Sequence, residues 1–183
     1  MSAFPDHTLD SAPAAARAAM AATARHRGYV PAPVGRLATS PELLGGFLKL
    51  SGIFETTTLA PVEREVVVMT VAARNECHVC VAMHSEILAA KEAPSALIEA
   101  LRAQERLPDA RLDGLRVFTL AVMDSAGAVP EETLQAFLAH GFTARNALEV
   151  VLGVGTYTLS TFANRLTDAP LDEALAPFAW HAA

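Results

Sequence analysis

The 183-residue sequence predicts an all-α single domain of about eight helices. Three observations carry this. Apolar residues recur at intervals of three and four along most segments, the spacing that aligns side chains on one face of a helix. Prolines stand at the starts of those segments or between them, where they open or end helices. No alternating apolar and polar run bounded by hairpin turns appears. The apolar fraction of 52% is high, and alanine, the best helix former, inflates it.

Taken in order, Ser11 to Tyr29 is alanine-rich with arginines and reads as a helix, stopped by Gly28 and Pro31. Val30 to Thr39 holds two prolines and a glycine and reads as a connector. Ser40-Pro41-Glu42 is a helix start, with Ser40 as N-cap and Pro41 in the first helical position. Leu43, Leu44, Phe47, Leu48 and Leu50 would share one face of that helix. Pro61 to about Arg74 is dense in valine, which also suits a strand; Glu63 in the first turn favours a helix. Asn75 could end that helix or cap the next, which continues from Cys77 to about Ala90. Pro94 to Gln104, Asp109 to Ser125, and Pro130 to about His140 are three further helices. Thr143 to about Leu166 is the longest, locally weakened by Gly153 and Gly155. Leu171 to Trp180 is a short closing segment. Residues 1–39 are thus expected to form an N-terminal helix and connector, and residues 40–183 the main helical domain.

The net charge is −6 and no basic cluster stands out, so nucleic acid is not an expected partner. No uninterrupted apolar run is long enough to span a bilayer, and Met1 to Asp10 lacks a basic region followed by an apolar one. No membrane partner and a cytoplasmic location are expected. The apolar excess suggests surface buried between subunits of a homo-oligomer.

The chain has two cysteines, Cys77 and Cys80, three residues apart. A disulfide here would close almost no loop, so the pair points to redox or metal chemistry rather than to a structural staple. His84 follows four residues after Cys80, and on a helix Cys77, Cys80 and His84 form one stripe. A helix start offers a positive dipole end and unpaired N–H groups, which stabilise a thiolate. Redox chemistry needs such a set: a nucleophilic sulfur, a second sulfur to resolve it, and a base. Glu65 lies on the preceding helix, and an antiparallel or steeply crossed packing could bring its carboxylate to the sulfurs. Val81 and Met83 read as core. His26 and His140, near helix ends, read as structural.

In these residues the chain resembles the AhpD-like (alkylhydroperoxidase D, carboxymuconolactone decarboxylase) superfamily. Its redox branch carries a glutamate, a gap, then CxxC with a histidine four residues later. Here that reads Glu65, Cys77-His78-Val79-Cys80 and His84, within a match from about Leu59 to Leu88. The overall length and the stretch Tyr157 to Asn164 look like the peroxidase-related members, and a general likeness runs from about Ser40 to Trp180. The resemblance implies an AhpD-like all-α bundle and a thiol-dependent peroxidase or disulfide oxidoreductase. Cys80 would be the peroxidatic cysteine, Cys77 its resolving partner, and His84 and Glu65 the proton relay. It implies a small alkyl hydroperoxide as substrate, a thiol or protein reductant, and a trimer or hexamer. No cofactor and no metal are called for. One departure stands out: the best-known members have a histidine where Val79 stands, and this chain has His78 one residue earlier.

Two other readings compete. Cys77, Cys80 and His84 could bind zinc, with Glu65 or water as a fourth ligand, though no second CxxC or HxxxH supplies the usual further pair. A decarboxylase acting on a lactone belongs to the same superfamily, but those members do not use a CxxC pair.

Overall fold

The structure, a computed structural model, describes residues 3–182. Among them the chain forms α1 (Ala14–Arg27), α2 (Ala32–Leu37), α3 (Pro41–Phe54), α4 (Pro61–Arg74), α5 (His78–Ala90), α6 (Ser95–Ala103), α7 (Ala110–Asp124), α8 (Glu131–Ala139) and α9 (Ala144–Leu166). A 3-10 helix, Glu173–Phe178, closes the chain. The described residues contain no strand.

The expected start signals operate. The Ser40 hydroxyl accepts from the Leu43 N–H at 3.3 Å, with Pro41 in the first turn of α3. At α4 the Glu63 carboxylate accepts from the Ala60 N–H at 2.8 Å. Thr143 and Asn146 cap α9 reciprocally, each side-chain oxygen accepting the other's backbone N–H at 3.1 and 2.9 Å. These bonds satisfy donors that no helical carbonyl can reach.

The connector expected at residues 30–39 is instead a short helix, α2. Pro31 and Pro33 do not prevent it, because proline is tolerated before and within the first turn, where its missing N–H has no intrahelical role.

α4 is the central element. It packs against α5, α6, α7 and α9, and every residue from Glu65 to Ala73 is buried. Burial on all sides explains why its valines show no amphipathic stripe. The main core runs from Phe54 through α4, α5 and α7 to Tyr157 and Trp180. A second cluster joins Met20 of α1 and Val34 and Leu37 of α2 to Leu44 of α3 and Ala163 of α9. α1 therefore lies over α3 and α2 over α3 and α9, with Arg27 at the end of α1 paired to Glu86 of α5. No helix is long and apolar enough to cross a membrane among the described residues.

Candidate active site

The site begins at the turn between α4 and α5. Asn75 is the C-cap of α4, and Glu76 follows in the left-handed region at φ 52°. The Glu76 N–H donates to the Ala73 carbonyl at 3.0 Å and the Cys77 N–H to the Ala72 carbonyl at 2.9 Å. This is a Schellman closure, usually built on glycine. Cys77 is at once its last residue and the N-cap of α5. The alternatives left open for Asn75 resolve in favour of the helix end. α9 pins the turn: the Asn75 amide donates to the Thr161 hydroxyl at 2.9 Å, and Arg165 donates to the Asn75 carbonyl at 2.6 Å and pairs with Glu76 at 3.3 Å.

That turn sets Cys77 and Cys80 in the first turn of α5, with Cα atoms 5.3 Å apart and the sulfurs joined in a disulfide. Cys77 is 1% exposed, whereas Cys80 is 7% exposed and lines a cavity of about 470 Å³. In the reduced state both sulfurs would lie at the positive end of the α5 dipole.

His84, one turn further along α5, shares a hydrogen bond between its Nδ1 and Oε2 of Glu65 at 2.7 Å. Both side chains are largely buried. With Nδ1 engaged by the carboxyl group, Nε2 is the nitrogen left for proton exchange. The crossing of α4 and α5 thus brings Glu65 to the site, as the spacing allowed.

Two side chains of α9 complete the floor of the cavity. The Tyr157 ring meets His84 edge-on, with centroids 5.6 Å apart, and its hydroxyl lies 3.3 Å from the Ser51 hydroxyl. Burial, helped by the nearby Glu55 and Glu65 carboxylates, pushes the Tyr157 phenol up to about 12, so it stays a neutral hydroxyl. The Asn164 amide donates to the Cys80 sulfur at 3.3 Å and lies 4.0 Å from the Cys77 sulfur. Sequence reasoning assigned no role to either residue. A usable signal existed: Tyr157, Ser160 and Asn164 recur at helical spacing and share one face of the helix.

Val34, Leu37, Phe47, Leu48 and Ile87 form apolar walls, and His26, Arg27, Glu55 and Lys91 also line the cavity. Two readings change here. Met83 belongs to the wall rather than to the core, being half-buried and facing the cavity, while Val81 is core as expected. His26 lines the same cavity. Val79 faces the cavity and His78 does not line it, so the displaced histidine does not replace the missing one. A larger and more open groove, about 620 Å³, lies between α2 and the end of α9, but no cysteine, histidine or carboxylate lines it.

Among the described residues no group of three or more His, Cys, Asp and Glu side chains is placed to hold a metal ion, with Cys77 and Cys80 joined to each other.

The carboxymuconolactone decarboxylase family model matches residues 41–124, the segment holding α3 to α7 and therefore Glu65, both cysteines and His84. A comparison with curated proteins gave no match. Among solved structures, an uncharacterized peroxidase-related protein from Ralstonia eutropha JMP134, described as an alkylhydroperoxidase AhpD core, superposes with a TM-score of 0.83 at 23% identity, covering 95% of this chain and 94% of that one. An uncharacterized peroxidase-related protein from Silicibacter sp. TM1040 gives 0.78 at 19% identity, covering 94% and 93%. The debrominase Bmp8 gives 0.72 at 13% identity, covering 96% and 94%. At these identities the likeness is one of fold.

Proposed function

Residues 41–124 match the carboxymuconolactone decarboxylase family model and the fold is that of an AhpD core, and from these we propose that the chain is a thiol-dependent peroxidase of that superfamily acting on small alkyl hydroperoxides. The observation that carries the proposal is the Cys77–Cys80 pair, with Cys80 opening onto a cavity beside a hydrogen-bonded His84–Glu65 couple. The fold alone does not choose the substrate, since the same architecture is found in a debrominase.

In the proposed cycle His84 takes the Cys80 thiol proton, and the thiolate attacks the terminal oxygen of the hydroperoxide. The S–O bond forms as the O–O bond breaks. Cys80 is oxidised to a sulfenic acid, and the alkoxide leaves and takes the proton back from His84 to become an alcohol. The Cys77 thiol then condenses with the sulfenic acid, releasing water and closing the disulfide. An external dithiol or protein thiol supplies two electrons to reopen it. The unequal exposure of the two sulfurs supports this division of roles, because substrate in the cavity reaches Cys80 first. His84 with Glu65 carries the proton, and the neutral Tyr157 ring holds the imidazole from the side. The proposal includes a homo-oligomer, supported by the apolar outer face of α9, where Leu148 and Leu166 are each 73% exposed.

Stopped-flow mixing of the reduced protein with cumene hydroperoxide tests the reading. Rapid single-turnover oxidation is expected, and Cys80→Ser should abolish it. If Cys80→Ser consumes the peroxide as fast as the parent does, the assignment is wrong.

A further inference from the structure

Asn164 is more than nine-tenths buried, on the inner face of α9, and its two amide atoms have different surroundings. Nδ2 lies 3.3 Å from the Cys80 sulfur and 4.0 Å from that of Cys77. Oδ1 is buried and meets no hydrogen-bond donor among the described residues. The orientation is the sensible one, because the flipped amide would turn carbonyl lone pairs toward sulfur lone pairs. A buried acceptor left unpaired costs about 1–3 kcal/mol, so the fold sustains an acceptor here that nothing in the protein satisfies. Asn164 also lines the cavity that Cys80 opens onto.

We propose that Asn164 is a catalytic residue that serves both reactants, its N–H holding the Cys80 sulfur and its carbonyl oxygen accepting the O–H of the incoming hydroperoxide. The second half rests on the peroxidase reading above; the first half stands on the sulfur geometry alone. The N–H group lies closer to Cys80 than to Cys77, so on reduction it would favour negative charge on Cys80. A hydrogen bond to an ionised acceptor is about twice as strong as one between neutral groups, so the donor works hardest once the thiolate forms. The carbonyl, a neighbour of the same carbon, holds the terminal O–H of the peroxide beside that sulfur. After the transfer, the sulfenic O–H occupies the place of the peroxide O–H and meets the same acceptor. Asn164 changes neither the electron count nor the proton count of the cycle. It selects the sulfur that reacts and the oxygen that it attacks.

The other titratable groups lining the cavity are Glu65 from α4, His84 from α5 and Lys91 just after it, Tyr157 from α9, Glu55 beside α3, and His26 and Arg27 from α1. They are common to parent and variant, so a change in the Cys80 profile between the two reports on Asn164.

The experiment uses the full chain carrying Cys77→Ser, which leaves Cys80 as the single thiol. Its alkylation by iodoacetamide is followed against pH with Asn164, Asn164→Leu and Asn164→Asp. Asn164→Leu keeps the shape and removes donor and acceptor; Asn164→Asp keeps an acceptor and replaces the donor by a negative charge. At neutral pH alkylation should slow about tenfold in Asn164→Leu, the equivalent of about 1.4 kcal/mol, and more in Asn164→Asp, with both profiles moved to higher pH. Single-turnover reaction with cumene hydroperoxide, measured with Cys77 restored, should fall by a larger factor than alkylation in Asn164→Leu, because the peroxide acceptor is lost as well. An unchanged alkylation profile in either variant overturns the sulfur role. Equal losses in alkylation and peroxide reaction overturn the substrate role. A parent chain that alkylates readily but ignores hydroperoxide would overturn the peroxidase reading while leaving the sulfur contact in place.

Discussion

The 2.7 Å contact between His84 and Glu65 decides how the imidazole can work. A carboxylate on Nδ1 fixes the tautomer and stabilises the imidazolium that forms when Nε2 takes a proton. Glu65→Gln keeps a hydrogen-bond acceptor and removes the charge, so the single-turnover rate with hydroperoxide should fall about 10²-fold at neutral pH while folding is retained. An unchanged rate would remove Glu65 from the proton path. Tyr157 gives a second test at the same scale. Its phenol is raised from 10.0 to about 12 by burial. The folded state therefore holds a proton that the unfolded state has already lost between those values. The stability this contributes is complete below pH 10 and is lost as the pH rises toward 12, at about 1.4 kcal/mol per unit. Ultraviolet difference absorbance should show the Tyr157 tyrosinate appearing only near pH 12, and Tyr157→Phe should remove that transition.

At the scale of the element, α9 holds two glycines that look alike in sequence and differ in the fold. A Cβ at Gly153 would come within 2.8 Å of Phe54 and Val67, so this glycine lets α9 approach α3 and α4 closely. A Cβ at Gly155 would meet nothing within 4 Å. Gly153→Ala should destabilise the protein by about 1–3 kcal/mol through overpacking. Gly155→Ala should stabilise it by about 0.5–1 kcal/mol, by lowering the entropy lost on helix formation. Urea unfolding of both variants checks the pair; effects of the same sign would contradict the packing. The approach that Gly153 permits matters for the site as well, because α9 carries Tyr157 and Asn164 to the sulfurs.

At the scale of the whole molecule, the opposite side of α9 is an apolar surface. Leu148, Val151, Phe162 and Leu166 are all exposed and fall on one helical face at 100° per residue. Contiguous apolar surface of this kind marks a contact site. A second copy of this chain is the expected occupant, in keeping with an apolar fraction of 52%. Light scattering should give a mass above 19.3 kDa, and Phe162→Glu with Leu166→Glu should reduce it. A wild-type mass of one chain would refute self-association.

The sequence by itself determined the helices and the chemistry held within one of them. Periodicity, prolines and capping residues are local signals, so the start of α3 and both ends of α4 to α9 could be read to within a residue or two. The exception was α2, where prolines suited equally to a connector or a first turn concealed a helix. The spacing of Cys77, Cys80 and His84 is likewise local, because one helix repeat sets it. Everything that reaches those residues from elsewhere was decided by tertiary structure. Glu65 meets His84 because α4 crosses α5, Tyr157 and Asn164 arrive on α9, and α1 and α2 wall the cavity over Cys80. A sequence records distance along the chain, whereas a cavity is made by elements far apart in it, and only packing sets their angles and separations.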